Sequence, residues 1–306
     1  MNESKLTIAG TGKRTMDMLS ALLASMRPRQ WSKNAFVFVP LIFDRKLLDP
    51  NSLVRTLIAF MLLCAMSSAV YLMNDLADIE KDRLHPVKRH RPLASGRLSP
   101  YLARIAFVAL ATSSLAAGYV LSPMLAAVLL GYLLLQLAYT FRLKNVVILD
   151  ILAVAAGFVL RIGAGVAVIS VVRFSPWLYV FGGFLALFLV VGKRRHELVL
   201  LGQGAGEHRA ILTEYNLDLI DRMQSIVVTS GLIAYSTYTF LAEGLPTNHT
   251  MMLTIPFVLY GFFRYEYLVY VRGDGGEPEE ILLRDRPLQI ALVLWALTVV
   301  VVLYLF

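Results

Sequence analysis

The clearest chemistry in the sequence sits in one stretch, YLMNDLADIEKDRLHPVKRHRPLASG, from Tyr71 to Gly96. At about 100° per residue, a helix sets Asp75, Asp78 and Asp82 within one narrow face. Asn74 borders that face and Glu80 points nearly opposite. Three carboxylates on one face repel one another unless a cation joins them. Mg2+ suits such a place, because it takes a few carboxylates together with phosphate oxygens and water. Asn74 can add a neutral oxygen or a donor. A solvated helix end with Asp–Lys pairs is the plainer reading of the same pattern. A dense basic segment follows, however: Lys88, Arg89, Arg91 and Arg97. Arginine grips phosphate with two bonds, so cations beside a metal site suit a polyanionic ligand. Asp75, Asp78 and Asp82 are therefore the expected catalytic metal ligands of a magnesium–diphosphate site. Pro86 and Pro92 stop the helix and shape the loop. His85 and His90 are loop residues on this reading, since Mg2+ prefers oxygen.

Other polar residues stand close to apolar runs. RPRQWSKN holds Arg27, Arg29 and Lys33, which fit lipid headgroups or the phosphate of a lipid substrate, and Trp31, which fits an interfacial anchor. YTFRLKN holds Tyr139 and Lys144 in a tight loop. Asp150 and Arg161 share one apolar run and nearly one face, but eleven residues separate them by about 16 Å. A direct contact is not expected. Arg161 is then either a substrate ligand or half of a structural ion pair. GKRRHEL closes another run, with Lys193 and Arg194 each in helical reach of Glu197. RAILTEYNLDLID is amphipathic enough to lie on a membrane surface as a lid. In RGDGGEPEEILLRDRP, Glu277, Glu279 and Asp285 are read as helix caps ahead of site members.

What must position these residues is a set of apolar helices. The 306 residues are 58% hydrophobic and 16% charged, against roughly 25% charged in soluble domains. A spanning helix needs about 20 apolar residues. Nine segments are predicted to qualify: 34–49, 53–73, 101–121, 124–141, 146–169, 175–192, 223–242, 250–270 and 288–306. The expected fold is an all-α polytopic membrane bundle of about nine helices. Residues 1–26 form an N-terminal segment and 27–306 a single transmembrane catalytic domain. The apolar stretch 16–26 is short and broken by Asp17 and Ser20, which excludes a good signal peptide. Cys64 has no partner for an internal disulfide and reads as a small core residue. The net charge of +8 is concentrated between apolar runs, so an anionic membrane surface or anionic substrate is favoured over nucleic acid. Lysine and arginine crowd one set of loops, which places the N-terminus and every large polar loop in the cytoplasm.

On these residues the chain resembles the UbiA superfamily of intramembrane prenyltransferases. Nine spans, NDxxDxxxD and a downstream RPLASG are that family's pattern. The family's second aspartate-rich motif is absent, and GKRRHEL stands in its place. RPRQWSKN, NDLADIEKDRLHPVKRHRPLASG, LKNVVILD, GKRRHEL and GEPEEILLRDR together resemble the decaprenyl-phosphate phosphoribosyltransferase branch. The resemblance implies transfer of 5-phosphoribose from phosphoribosyl pyrophosphate to a polyprenyl phosphate, with Mg2+ as cofactor, at the inner membrane of a bacterium. It also implies substrate contacts for Asn74, Lys88, Arg89, Arg91, Lys144, Lys193, Arg194, Arg27, Lys33, Tyr139 and Arg161. Expected partners are those two substrates, the membrane and, as an option, further copies of the chain. An aromatic prenyltransferase of the same fold and an anionic lipid or solute transporter stay open as alternatives.

Orientation is directly testable. Single cysteines at Gly204 and Gly275 are expected to react with an impermeant thiol reagent only from the cytoplasmic side, and one at Thr247 only from outside. Labelling of all three from one side would overturn the topology.

Overall fold

The computed structural model describes residues 17–171, 175–201, 210–274, 281, 282 and 284–305. Regular structure among them is helical throughout. The helices are α1 (Asp17–Met26), α2 (Val39–Phe43), α3 (Pro50–Ala77), α4 (Ile79–Leu84), α5 (Pro100–Leu121) and α6 (Pro123–Phe141). They continue with α7 (Leu149–Val166), α8 (Pro176–Leu201), α9 (Leu217–Leu241), α10 (Ile255–Tyr270) and α11 (Arg286–Leu305). Proline, whose fixed φ suits a first turn, opens α3, α5, α6 and α8. Asp49, Ser99 and Asn216 cap α3, α5 and α9 with their side chains.

Among the described residues six helices are long and apolar enough to cross a bilayer: α3, α5, α6, α7, α8 and α11. They match six of the nine expected spans, and the protein is a multi-pass membrane protein. The count of nine is not reached, for three local reasons. Segment 34–49 forms a 3-10 helix, Pro28–Phe38, followed by the short α2. Segment 223–242 lies in α9, whose apolar run is diluted by Gln224, Ser236 and a series of threonines and tyrosines. Segment 250–270 splits into a 3-10 turn, Thr250–Thr254, and the 16-residue α10.

Burial sorts the layers. In α3 and α7 56% of the apolar window is buried, against 17% in α5, so α3 and α7 are central and α5 faces lipid. One core joins α3, α6 and α7 to the Pro28–Phe38 segment through Val37, Leu63, Leu129 and Ala164. A second joins α8 to α11 through Phe188, Tyr235, Phe262 and Leu288. The boundary expected after residue 26 does not detach α1. Its Ala21 packs against Leu72, Leu93 and Leu98. Arg55, at the start of α3, donates to the Leu121 and Val168 carbonyls at 2.8 and 2.6 Å. Its charge thereby meets the ends of α5 and α7, where helix dipoles favour cations.

One further expectation is corrected. The GKRRHEL stretch does not close α8, which continues to Leu201. Within RAILTEYNLDLID the described residues are two-faced, with Thr213, Glu214 and 216–219 exposed. Ile211, Leu212 and Tyr215 are buried, and Ile211 and Tyr215 pack with Ile151, Val191 and Ile220. Arg209, Gly204, Gly275, Glu277 and Glu279 lie outside the described residues. Asp285 does act as a cap: it accepts from Leu288 N and pairs with Arg264 at 2.8 Å.

The central contact depends on one missing side chain. A Cβ on Gly165 of α7 would sit 2.1 Å from the Val37 carbonyl oxygen. Gly165→Ala is expected to lower stability in detergent by about 1–3 kcal/mol, an ordinary overpacking cost. Gly131→Ala, where a Cβ meets nothing within 4 Å, should leave the melting temperature unchanged or raised.

Candidate active site

The acidic helix end is not one continuous helix. Asp78 adopts φ −105° and ψ 10°, which ends α3, and α4 begins at Ile79. The loop after α4 then folds back: Leu98 N donates to Pro92 O, and Arg97 donates to His90 O. This return sets Arg91 between two carboxylates, with Nη1 3.2 Å from Asp75 and 2.7 Å from Asp82. Arg27 reaches Asp75 from the other side at 2.5 Å and lies over the Tyr71 ring. Its backbone has φ 53°, the left-handed region uncommon for a non-glycine residue. Asp78 turns instead to Lys144, 3.4 Å away, on the Leu143–Asn145 turn. The Thr140 hydroxyl of α6 hydrogen-bonds the Asn74 side chain. The three aspartates are thus each matched by a cation, and Asp75 and Asp82 are buried.

Among the described residues no three His, Cys, Asp or Glu converge as a preformed metal site. The expected set of Asp75, Asp78 and Asp82 is split, because the break at Asp78 sends that side chain to Lys144. Two members still fit a cation. Arg91 Nη1 lies between Asp75 and Asp82, so their nearest oxygens are at most about 6 Å apart, close to what a shared hard ion needs after a small closure.

A second polar cluster lies at the same end. Arg194, expected as a phosphate ligand, is buried and already taken: Nε meets Asp150 at 3.0 Å and Nη1 meets Glu197 at 2.5 Å. Asp150 also accepts from the Tyr215 hydroxyl at 2.6 Å, and that hydroxyl accepts from Ile148 N. Burial and the bond to Asp150 push the Tyr215 hydroxyl up to about 12. It stays protonated as a donor throughout the working range. Ile148, which opens α7, is held at φ 70°, an outlier for a β-branched residue. The network that grips its N–H holds the chain in that shape.

A third cluster lies deep in the bundle. Arg161 donates to Asn34 Oδ1 at 2.8 Å, Gly157 O at 2.7 Å and the Tyr132 hydroxyl at 2.9 Å. The expected lack of an Asp150–Arg161 contact agrees with this, and the ion-pair reading of Arg161 does not: its partners are all neutral. Trp31, read as an interfacial anchor, is half-buried and its indole N–H donates to Ser68 of α3. Lys33, Lys88, Tyr139 and Lys193 are half-buried, and Arg89 is exposed beside His90. Reading the sequence missed Tyr132, Thr140, Asn34 and Tyr215. Tyr132, Gln136 and Thr140 recur every four residues on apolar α6, a polar stripe that periodicity could have found.

A membrane bundle that gathers carboxylates and cations at one end is the setting of an intramembrane transferase, and the comparisons with known proteins agree. The chain belongs to the UbiA prenyltransferase family, whose profile matches residues 41–279. It is 34% identical over 291 residues to a decaprenyl-phosphate phosphoribosyltransferase of Mycobacterium tuberculosis, covering 92% of this chain and 94% of that one. The enzyme of the same name from Mycolicibacterium smegmatis is 32% identical over 99% of this chain and 98% of its own. Among solved structures, a UbiA homolog from Archaeoglobus fulgidus bound to DMAPP and Mg2+ has a TM-score of 0.69 at 19% identity. That match covers 93% of this chain and 99% of the other.

The Arg194 network should behave as structure. Arg194→Ala removes the guanidinium that Asp150 and Glu197 share, and breaking a buried pair typically costs about 3–5 kcal/mol. The expected result is a large drop in melting temperature. A fully stable variant with weakened phosphate binding would return Arg194 to the substrate.

Proposed function

We propose that this protein transfers 5-phosphoribose from phosphoribosyl pyrophosphate to a polyprenyl phosphate, of the decaprenyl class, and releases pyrophosphate. The site faces the cytoplasm at the inner membrane of a bacterium. The observation that carries this reading is end-to-end likeness to phosphoribosyltransferases at 34% identity, against 19% for the structure holding a prenyl diphosphate. The charged end of the bundle supports it. Asp75 and Asp82 would hold Mg2+ once Arg91 leaves them, and Asp78 would join them only on leaving Lys144. Mg2+, when bound, neutralises charge on the departing pyrophosphate. Arg27, Arg91 and Lys144, released from the carboxylates, are placed to take donor phosphates, with Lys88 and Arg89 on the same loop. Asn74, fixed by Thr140, orients the donor from below. Tyr139 lies close enough to Arg194 to act on it electrostatically, and Lys193 precedes it on α8; both would contact substrate from there.

The bond between the anomeric carbon and the pyrophosphate oxygen breaks, and one to the acceptor phosphate oxygen forms. The carbon passes through an oxocarbenium-like state, as in glycosyl transfer. An ionised phosphate needs no strong general base, which suits a site without a catalytic histidine among the residues assigned here.

Purified protein in nanodiscs should form radiolabelled lipid from labelled phosphoribosyl pyrophosphate and decaprenyl phosphate. It should form none from geranyl diphosphate and an aromatic acid. Asp75→Asn and Asp78→Asn should each lose roughly a hundredfold or more at limiting Mg2+, the several kcal/mol of metal charge stabilisation. The half-buried Asp78→Asn variant should keep its melting temperature, whereas Asp75→Asn should lower it, because Arg27 and Arg91 lose their buried partner. Turnover of the prenyl diphosphate alone would reject the reading.

A further inference from the structure

Arg161 is 5% exposed and sits well below the aspartates. Three helices agree on its depth. It lies eleven residues along α7 from Asp150, about 16 Å by helical rise. Its partner Tyr132 lies eight residues along α6 from Thr140, about 12 Å. Its partner Asn34 meets Ser67 of α3, seven residues from Asn74, about 10 Å.

Among the described residues no carboxylate answers this charge. Arg27, Arg91, Lys144, Arg194, Arg195 and Arg264 each pair with an aspartate or glutamate. Arg161 has only a side-chain amide, a backbone carbonyl, a phenol and the faces of Tyr132 and Phe158. A guanidinium has five N–H donors, and three are used, so two have no protein acceptor among the described residues. An uncompensated charge at this depth is costly, and intramembrane cations of this kind face ligands or pathways. The surroundings present the group rather than neutralise it. Gly157 supplies only its carbonyl, and a Cβ there would crowd Gln136 Nε2 at 3.1 Å while merely touching Nη1 at 3.4 Å. Lys33, next to Asn34, lies close enough to act electrostatically on the same Tyr132 hydroxyl.

We propose that Arg161, held by Asn34 and Tyr132 and with Lys33 beside it, binds the phosphate of the lipid acceptor, one layer below the donor. The assignment rests on the reaction proposed above. The donor is water-soluble and arrives from the charged end of the bundle. The acceptor phosphate hangs on an apolar chain and arrives from the lipid. Displacement in line at the anomeric carbon requires the leaving pyrophosphate on one side and the entering phosphate on the other. The aspartate cluster above and Arg161 below supply those two sides, at a spacing of about 10 Å from helical rise. The electron pair of the broken bond leaves with pyrophosphate, and no proton moves, because the attacking oxygen is already ionised.

The deciding variant is Asn34→Asp, which keeps the bond to Arg161 Nε and supplies the missing negative charge. Arg161→Lys, which keeps charge but loses the fork, accompanies it. Both are assayed in nanodiscs, varying decaprenyl phosphate and phosphoribosyl pyrophosphate separately. Binding of farnesyl phosphate alone is measured by titration calorimetry, without donor. Asn34→Asp should raise the KM for the lipid phosphate by about tenfold to a hundredfold and leave the donor KM within about twofold. Farnesyl phosphate binding should weaken in the same proportion, at unchanged melting temperature. A rise confined to the donor KM would move Arg161 to the donor's 5-phosphate and overturn the proposal. Unchanged constants in a stable Asn34→Asp variant would leave Arg161 as a latch between helices, and overturn it equally. Should wild type bind farnesyl phosphate in an Asn34- and Arg161-dependent way but never consume phosphoribosyl pyrophosphate, the reaction fails and the phosphate site stands.

Discussion

A full charge inside an apolar bundle must find its opposite, and that demand organises this protein. Asp75 sits at the end of a central helix with 2% of its surface exposed. It is tolerable there because Arg27 arrives from one side and Arg91 from the other. Each cation comes from a different part of the chain, so the pairing also fixes where those parts lie. The segment before the first apolar run is tied to α3 by Arg27, and the loop after α4 is tied back by Arg91. The same logic recurs at Asp150, which is fully buried and joins α7 to α8 through Arg194 and to the chain before α9 through Tyr215. Removing one partner of such a pair costs more than the pair itself contributes, because the other charge is stranded.

Charge pairs of this kind also suit a site that must accept a polyanion with its cation. Asp75, Asp78 and Asp82 are matched in number by Arg27, Arg91 and Lys144, and they hold one another. A metal can take the acids while the bases take the phosphates, so that groups already in place offset part of the charge the ligand brings. Arg161 departs from this pattern, and the departure is informative for that reason. Its neutral partners orient it without cancelling it.

Beneath the charges, the packing is simple. Small residues let the Pro28–Phe38 segment press against α7, where the Val37 carbonyl occupies space that any side chain on Gly165 would need. That contact carries Asn34 to Arg161 and Trp31 to Ser68. This segment lacks regular α-helix, but its inward side, with Asn34 and Val37 buried, finds polar partners in the protein.

Much was legible in the sequence. Apolar length marked six of the spanning helices, because a bilayer imposes the same requirement on every crossing segment. Residue type and spacing picked out Asn74, Asp75, Asp78 and Asp82 and the basic loop after them. Sequence also excluded an Asp150–Arg161 contact, since helical rise alone sets their separation. Tertiary structure alone decided which charges meet. Nothing local says that Asp78 turns to Lys144 sixty-six residues away, that Arg194 is consumed by Asp150, or that Arg161 is left to a tyrosine and an asparagine. Periodicity along one helix determines which face a residue is on. What stands opposite that face depends on which helix packs there, and that is a property of the whole bundle.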